Sequence, residues 1–182
     1  MHNKPEPDTT ASQADRGASP LGGVAQRGEQ ARLFELPQET YTSDDYYTPK
    51  WIFDLLNVTF DLDVASPPNG PMFTPAKNYY TQADDGLAQP WYGRVWMNPP
   101  FSNPLPWVEK FVQHANGIAL VPTSNGRWLD ILWASDSYWV TLKSLKFWTP
   151  TGPAKGAMPT RCWLVAFGSS NVTAIKRIGH VR

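Results

Sequence analysis

From about residue 46 onward, apolar and polar positions fall into short runs whose period changes repeatedly. In "TPKWIFDLLNV", 48–58, Ile52, Leu55 and Leu56 share one helical face with Trp51 beside them. Thr48 as cap and Pro49 at the first helical position complete the signature of a helix start. "FDLDVAS", 60–66, alternates and predicts a strand ending near Asp63 or Ala65. "RVWMN", 94–98, predicts the next strand. "NPLPWVEKFVQHANG" predicts a helix from Pro104 to about Ala115, with Trp107, Val108, Phe111 and Val112 inward and Gly117 just past its end. "GIALVPT" has the continuous apolar look of a buried parallel strand. "GRWLDILWAS" reads as a short helix, and "YWVTLKSLKFW", 138–148, and "RCWLVAFG", 161–168, read as strands joined by a Pro- and Gly-rich loop over 149–160. Residues 67–93, punctuated by Pro67, Pro68, Gly70, Pro71, Pro75, Gly86, Pro90 and Gly93, read as loop.

This alternation of strand and helix, closed by a strand pair, predicts an α/β fold with an open sheet flanked by helices. Ligands of such sheets sit beyond the carboxyl ends of the strands. Asp63, Asn98 and the Thr123–Gly126 loop all fall at such ends. Residues 1–40 are rich in Gly, Pro, Ala, Gln, Ser and Asp without sustained period, which predicts a disordered tail before a single domain over 41–182. There is no internal repeat.

Composition adds three things. First, 9 tryptophans and 18 prolines among 182 residues promise a dense core or stacking surfaces, and much irregular backbone. Second, a formal net charge of zero hides an uneven spread. Acids crowd from Glu35 to Asp63 against the lone base Lys50. From Ser137 to Arg182 there are Lys143, Lys146, Lys155, Arg161, Lys176, Arg177 and Arg182 and no acid. Such a C-terminal third is either a solvated basic surface or a footprint for a polyanion. Third, the one cysteine, Cys162, permits no intrachain disulfide and no cysteine-based metal cluster, and His2, His114 and His180 lack ligand spacing, so no metal is expected. With no signal-like apolar core and no run approaching 18 apolar residues, the expectation is a cytoplasmic protein that does not enter membranes.

The segment "VWMNPPF", 95–101, carries the chemistry. An apolar strand stops at Asn98, and Pro99 and Pro100 hold Asn98 and Pro99 extended. Prolines have no N–H, so this stretch offers acceptors with few competing donors. The Asn98 side-chain oxygen and the Pro99 carbonyl can grip the two hydrogens of a flat –NH2 group, and Phe101 supplies a ring to stack on the body that carries it. An exocyclic amine of a base is a poor nucleophile because its lone pair is spread into the ring. Two acceptors favour a pyramidal nitrogen and stabilise the positive charge that develops as it attacks a methyl donor.

"NPPF" resembles the catalytic motif of amino-group methyltransferases that use S-adenosylmethionine. "YYTPKWIFDLLN", "FDLDVAS", "YYTQADDGLAQPWYGRVWMNPPFSN", "WVEKF" and "ALVPTSNGRW" resemble, in one order from about 45 to 168, the phage-type DNA adenine-N6 methyltransferases. The resemblance implies S-adenosylmethionine as cofactor, DNA as partner, and a Rossmann-like sheet. It implies that Asn98 and the Pro99 carbonyl hold the adenine amine, that Pro100 stiffens the turn, and that Phe101 stacks on the base. It implies a cofactor pocket at Thr48, Pro49, Asp63 and Ala65, with Asp84 or Asp85 of the "DDGL" element as a further ligand. Trp128, after the loop that follows the apolar strand, reads more simply as core.

The chain also departs from that pattern. "DVASPPNG" has no G-x-G, and Asp63 to Asn98 is too short for a full set of βα units of about 30 residues each, which predicts a reduced sheet. No segment is left over for a separate DNA-recognition domain, which puts recognition on loops such as 67–80, 123–127 and 149–160. A glutamine amide or an RNA base would suit the same tetrapeptide, and a relative that lost the cofactor and only binds nucleic acid is a further alternative.

Overall fold

The computed structural model describes residues 43–124, 126–155 and 161–181. The chain divides into two units, Met1–Glu39 and Thr40–Arg182. The reading of residues 1–40 as a tail lies outside the described residues, as do Asn125 and the 156–160 part of the expected loop.

The first helix, α1 (Lys50–Leu56), starts one residue later than expected. Pro49, at φ −69° and ψ 146°, is itself the cap residue, and Thr48 makes no capping bond. Proline holds the residue before it extended, so the Thr48 side chain is set back from the free amides of the first turn. The buried face is Ile52, Phe53 and Leu56, while Leu55 and Trp51 are largely exposed. At about 100° per residue, Phe53 and Leu55 flank the Ile52–Leu56 stripe almost symmetrically. Periodicity alone could not choose between them.

Among the described residues eight strands follow: β1 (Phe60–Asp63), β2 (Ala76–Tyr79), β3 (Val95–Met97), β4 (Gly117–Pro122), β5 (Tyr138–Leu142), β6 (Trp148–Thr149), β7 (Gly152–Pro153) and β8 (Cys162–Phe167). Six of them form one sheet in the order β2-β1-β3-β4-β8-β5. The pairs β1–β2, β1–β3 and β3–β4 are parallel, and β8 runs antiparallel to both β4 and β5. The fold is therefore mixed α/β, with a mostly parallel sheet and the expected C-terminal strand pair, which runs antiparallel.

Helices cover both faces. On one, α1 and α4 (Ser169–Ile175) pack against Trp96, Ile118, Leu120, Val140 and Leu164. On the other, α2 (Leu105–His114) and α3 (Arg127–Trp133) pack against Val95, Met97, Ala119, Val121 and Val165. Every residue of β4 is buried, alternate side chains entering the two clusters, as the continuous apolar run requires. Trp128 is core, 4% exposed.

Four expectations are corrected. The loop over 67–93 contains β2, an edge strand whose "AKNY" is mostly exposed and so shows no apolar alternation. The strand over 138–148 ends at Leu142. Beyond it Leu145 and Phe147 stay buried but off the sheet, and β6 pairs with β7 in a ribbon of its own. Gly117 opens β4, and Ala115 is the left-handed residue that ends α2, at φ 52°. The helix α4 was not expected after the last strand. It is short, and it is anchored by the buried amide of Asn171, which donates to Phe167 O at 2.7 Å and to Asn116 Oδ1 at 3.0 Å.

From β1 the chain turns to β2 on one side, while β3, β4 and the pair β8–β5 build the other side. The order reverses between β1 and β3. A crevice opens beyond the carboxyl ends of strands at such a reversal.

Candidate active site

A cavity of about 290 Å³ occupies that crevice. Asp63, Ala65 and Ser66 reach it from the end of β1, Asn98 and Pro100 from the end of β3, Asp44 to Thr48 from the segment before α1, and Asp85 and Gly86 from the loop after β2. Trp96 and Trp107 contribute apolar wall.

Asn98 is held from behind. Its Nδ2 donates to Tyr46 O at 2.9 Å. The reverse amide orientation would set two acceptors against each other, so this bond fixes Oδ1 as the opposite prong. Oδ1 is buried and has no partner. Buried acceptors are almost always satisfied, and an orphan of this kind costs on the order of 1–3 kcal/mol until something donates to it. Two more orphans, Thr48 Oγ1 and Ser66 Oγ, belong to residues lining the same cavity. All three buried side-chain polar atoms found without partners among the described residues therefore belong to this one site.

The segment 43–49 that holds Asn98 is itself tied down at three points. The Asp44 carboxylate accepts from Ser102 N at 3.0 Å and Ser102 Oγ at 2.6 Å, in the turn that follows the Asn-Pro-Pro-Phe sequence. Tyr47 and Trp148 exchange backbone bonds of 2.9 and 3.0 Å. The Tyr46 ring stacks on Phe147, with centroids 5.4 Å apart.

The electrostatics are one-sided. Asp44, Asp45, Asp63 and Asp85 all line the cavity, and among the described residues no Lys, Arg or His does. Asp63 is 2% exposed, and burial pushes its carboxyl up to about 7, against bonds from the Ala65 amide and the Thr74 hydroxyl. A cation entering the cavity would return that carboxyl to its charged form.

The two acids of "DDGL" separate. Asp84 turns away: its Oδ2 accepts from Thr81 N and Oγ1 at 2.8 and 2.7 Å, and these bonds hold its carboxyl below the ordinary range. Asp85, left-handed at φ 51°, lines the cavity. The next residue has to be glycine, because a Cβ on Gly86 would lie 2.2 Å from Val64 O. Lys110 of α2 donates to Gly86 O at 3.3 Å, Leu87 O at 2.6 Å and Gln89 O, and Trp91 Nε1 donates to Gly86 O at 2.7 Å, so this loop is pinned against the helix.

Of the residues singled out in the sequence, Thr48, Asp63, Ala65, Asp85, Asn98 and Pro100 converge here, whereas Pro49, Asp84, Pro99 and Phe101 do not line the cavity. The Phe101 ring is half-buried, edge-on to Phe147 at 6.1 Å. The sequence reading missed Asp44, the Tyr46 carbonyl, Ser66 and Trp107. The acid-rich stretch ahead of α1 was the available signal for Asp44, but nothing local marks a backbone carbonyl as a clamp.

Residues 36–133, more than half of the chain, match the family model described as DNA N-6-adenine-methyltransferase (Dam). The chain belongs to this family. It is similar to a DNA N-6-adenine-methyltransferase of Haemophilus phage HP1 (strain HP1c1), with 34% identity over 99 residues. That match covers 48% of this chain and 56% of the relative, so the chain spans about half the length of the curated relative it matches. The part of this Dam-family chain matched by the family model runs from before the Asp44 clamp to the end of α3 and contains every residue assigned to the cavity wall.

Proposed function

We propose that the chain transfers a methyl group from S-adenosylmethionine to the exocyclic amine of an adenine flipped out of DNA, acting as an adenine-specific DNA methyltransferase. The observation that carries this reading is the orphaned Asn98 Oδ1, a buried acceptor held in place by Tyr46 O at the wall of the cavity.

The donor set fits the cofactor. When bound, S-adenosylmethionine supplies an activated methyl group on a positively charged sulfur. A cavity lined by the buried Asp63 carboxyl and by Asp85 suits a positively charged guest, and the Thr48 and Ser66 hydroxyls are unspent partners for its polar groups. Asp63 and Asp85 are the acids we assign to it, with Ala65 leaving room beside Asp63. Pro49 supports Thr48 from outside the wall, and Asp84 shapes the turn that presents Asp85. We read the sheet as a reduced Rossmann-like methyltransferase sheet. Its connections from β1 through β2 to β3 hold a 3-10 turn at Gln82–Asp84 and no α-helix, and its strand order reverses beside the cavity.

In the reaction, Asn98 Oδ1 accepts one amine hydrogen, and the other is assigned to the carbonyl of Pro99, which stands between the wall residues Asn98 and Pro100 without lining the cavity itself. Both dipoles stabilise the positive charge that grows on nitrogen as its bond to the methyl carbon forms and that carbon's bond to the donor sulfur breaks, the electron pair staying on sulfur as a neutral thioether. The product nitrogen then releases a proton readily, so no strong base is needed. The adenine leaves its stack at a cost of a few kcal/mol, and the stacking that offsets part of it is assigned to Phe101, although its ring lies outside the cavity wall against Phe147 in the ligand-free protein. The test is to incubate unmethylated DNA with the protein and S-adenosylmethionine, digest it to nucleosides and look for N6-methyladenine by mass spectrometry. Its absence from DNA, with label appearing in RNA or protein instead, overturns the choice of acceptor.

A further inference from the structure

Beside the β8–β5 pair lies a second groove, of about 1200 Å³, that the methyl-transfer chemistry does not use. Three tryptophans form a ladder along it. Trp133, 64% exposed at the end of α3, stacks on Trp139 at 5.0 Å and 23°, and Trp139 meets Trp163 edge-on at 5.1 Å. Trp163 lies opposite Thr141 in the strand pair, and Trp163 Nε1 donates to Thr141 Oγ1 at 3.2 Å, which orients the indole. At the upper end Lys143 leaves β5 and Arg161 enters β8, both exposed, with Thr123 from the end of β4 between the groove and the parallel strands. His180 also lines the groove, and no carboxylate among the described residues does. The nearest acid in sequence, Asp136, precedes β5 and so stands at the opposite end from Lys143.

An exposed indole backed by two more is a large apolar patch for a soluble domain to leave uncovered. Aromatic faces next to unopposed cations suit unpaired nucleotides, whose bases stack while their phosphates are neutralised. Position supports the same ligand. The Lys143–Arg161 end of the groove opens at the sheet edge where the catalytic crevice lies, three strand spacings away, about 14 Å at ~4.8 Å each, and the groove runs from there along β5 to Trp133 at its far end.

We infer that this groove binds a single-stranded stretch of substrate DNA a few nucleotides from the flipped adenine, its bases stacking on Trp133 and its phosphates on Lys143 and Arg161. The inference rests on the reading of DNA as substrate, but it concerns residues beyond the family-matched segment, since all but the Trp133 end of the ladder lies past residue 133.

The test is fluorescence anisotropy with a labelled single-stranded oligonucleotide and with the duplex of the same sequence, needing no turnover. Trp133→Ala should raise the single-strand Kd about tenfold. The Lys143→Gln/Arg161→Gln double variant should weaken binding and lower the slope of log K against log salt by about 1.4, at ~0.7 per phosphate released. All three side chains are exposed, and thermal melts monitored by circular dichroism check the folds. Wild-type single-strand affinity in the Trp133 variant and the double variant, or a loss confined to the duplex, overturns the inference. A chain that loses single-strand binding in these variants yet makes no N6-methyladenine overturns the proposed reaction and leaves the groove standing.

Discussion

The sheet has two unequal halves. On the β4–β8–β5 side, strands of five and six residues lie between helices, and the interior side chains of β4 and β8 are almost completely shielded. On the β2–β1 side the strands have four residues, β2 is largely exposed, and no α-helix interrupts the chain between β1 and β3. Yet the cavity, the orphaned acceptors and the displaced carboxyl of Asp63 all lie against that thinner half and its junction with β3. The difference teaches a division of labour. The thick half supplies hydrophobic stability, and the thin half accepts unsatisfied polar groups that cost stability and leave binding energy for a ligand.

The comparison breaks most sharply at Asn98. Asn98→Ala should lower methyl transfer to DNA by at least about 10²–10³-fold, the loss typical of removing one preorganised group facing developing charge. The melting temperature should hardly move, because Oδ1 bonds to nothing in the ligand-free protein and only the Nδ2 bond to Tyr46 O is lost. Single-turnover assays beside thermal melts decide this, and near-wild-type transfer would remove Asn98 from the mechanism.

The opposite behaviour is expected in the thick half. Ile118→Ala on β4, where Ile118 is fully buried, should cost about 2–5 kcal/mol in denaturant unfolding. In the fraction that stays folded, cofactor affinity should be unchanged. A variant that loses cofactor binding in step with nothing but this cavity in the core would erase the proposed separation.

How far the two halves were legible in the sequence follows the same division. The thick half announced itself because burial on both faces writes a continuous apolar run, as in Gly117–Pro122. The Asn-Pro-Pro-Phe end of β3 was legible because two prolines straight after an apolar strand hold the chain extended and leave acceptors with few competing donors. In the thin half, "AKNY" reads as loop: an exposed edge strand makes its ladder with backbone atoms and leaves its side chains free to be polar. "KSLKFW" failed in the reverse direction. Leu145 and Phe147 keep the alternation of a strand by burying into the core beside α1 and α4, without any ladder partner. The Asp44–Ser102 and Asn98–Tyr46 bonds span 58 and 52 residues, and no local pattern encodes contacts of that range.

Asp63 sharpens the comparison through pH. Its carboxyl sits at about 7 in the folded chain against an ordinary 3.8, because burial disfavours the charged form. Between those values the unfolded chain has lost the proton and the folded chain keeps it, so stability falls as pH rises from about 4 to about 7 and levels off above. The upper limit of the penalty is about 4 kcal/mol, at about 1.4 kcal/mol per pH unit. Asp63→Asn should therefore remain flat across that window and exceed the ligand-free wild type in stability at pH 8, while losing cofactor affinity by calorimetry. Parallel pH profiles of the two proteins would show that the carboxyl costs the fold nothing.

The smallest effect is expected at Lys110, where the halves are joined. Its ammonium bonds three carbonyls of the 86–89 loop and lies 5.1 Å from the Trp91 ring centroid, so one side chain of α2 fixes the wall on which Asp85 stands. Burial lowers its pKa, with nearby Asp85 opposing that shift, and it is donated fully to backbone acceptors that water would otherwise serve. Lys110→Met keeps the aliphatic stem against Trp91 but frees those carbonyls. The loop should then exchange its amides faster, and the cofactor Kd should rise up to about tenfold, while kcat at saturating cofactor stays within twofold, since Asn98 is anchored separately through Tyr46. Lys110→Arg, which keeps the charge and the donors, should recover most of the affinity. A fall in kcat equal to the rise in Kd would mean that the loop and the Asn98 clamp move as one body, and that the thin half has a single hinge and not two independent supports.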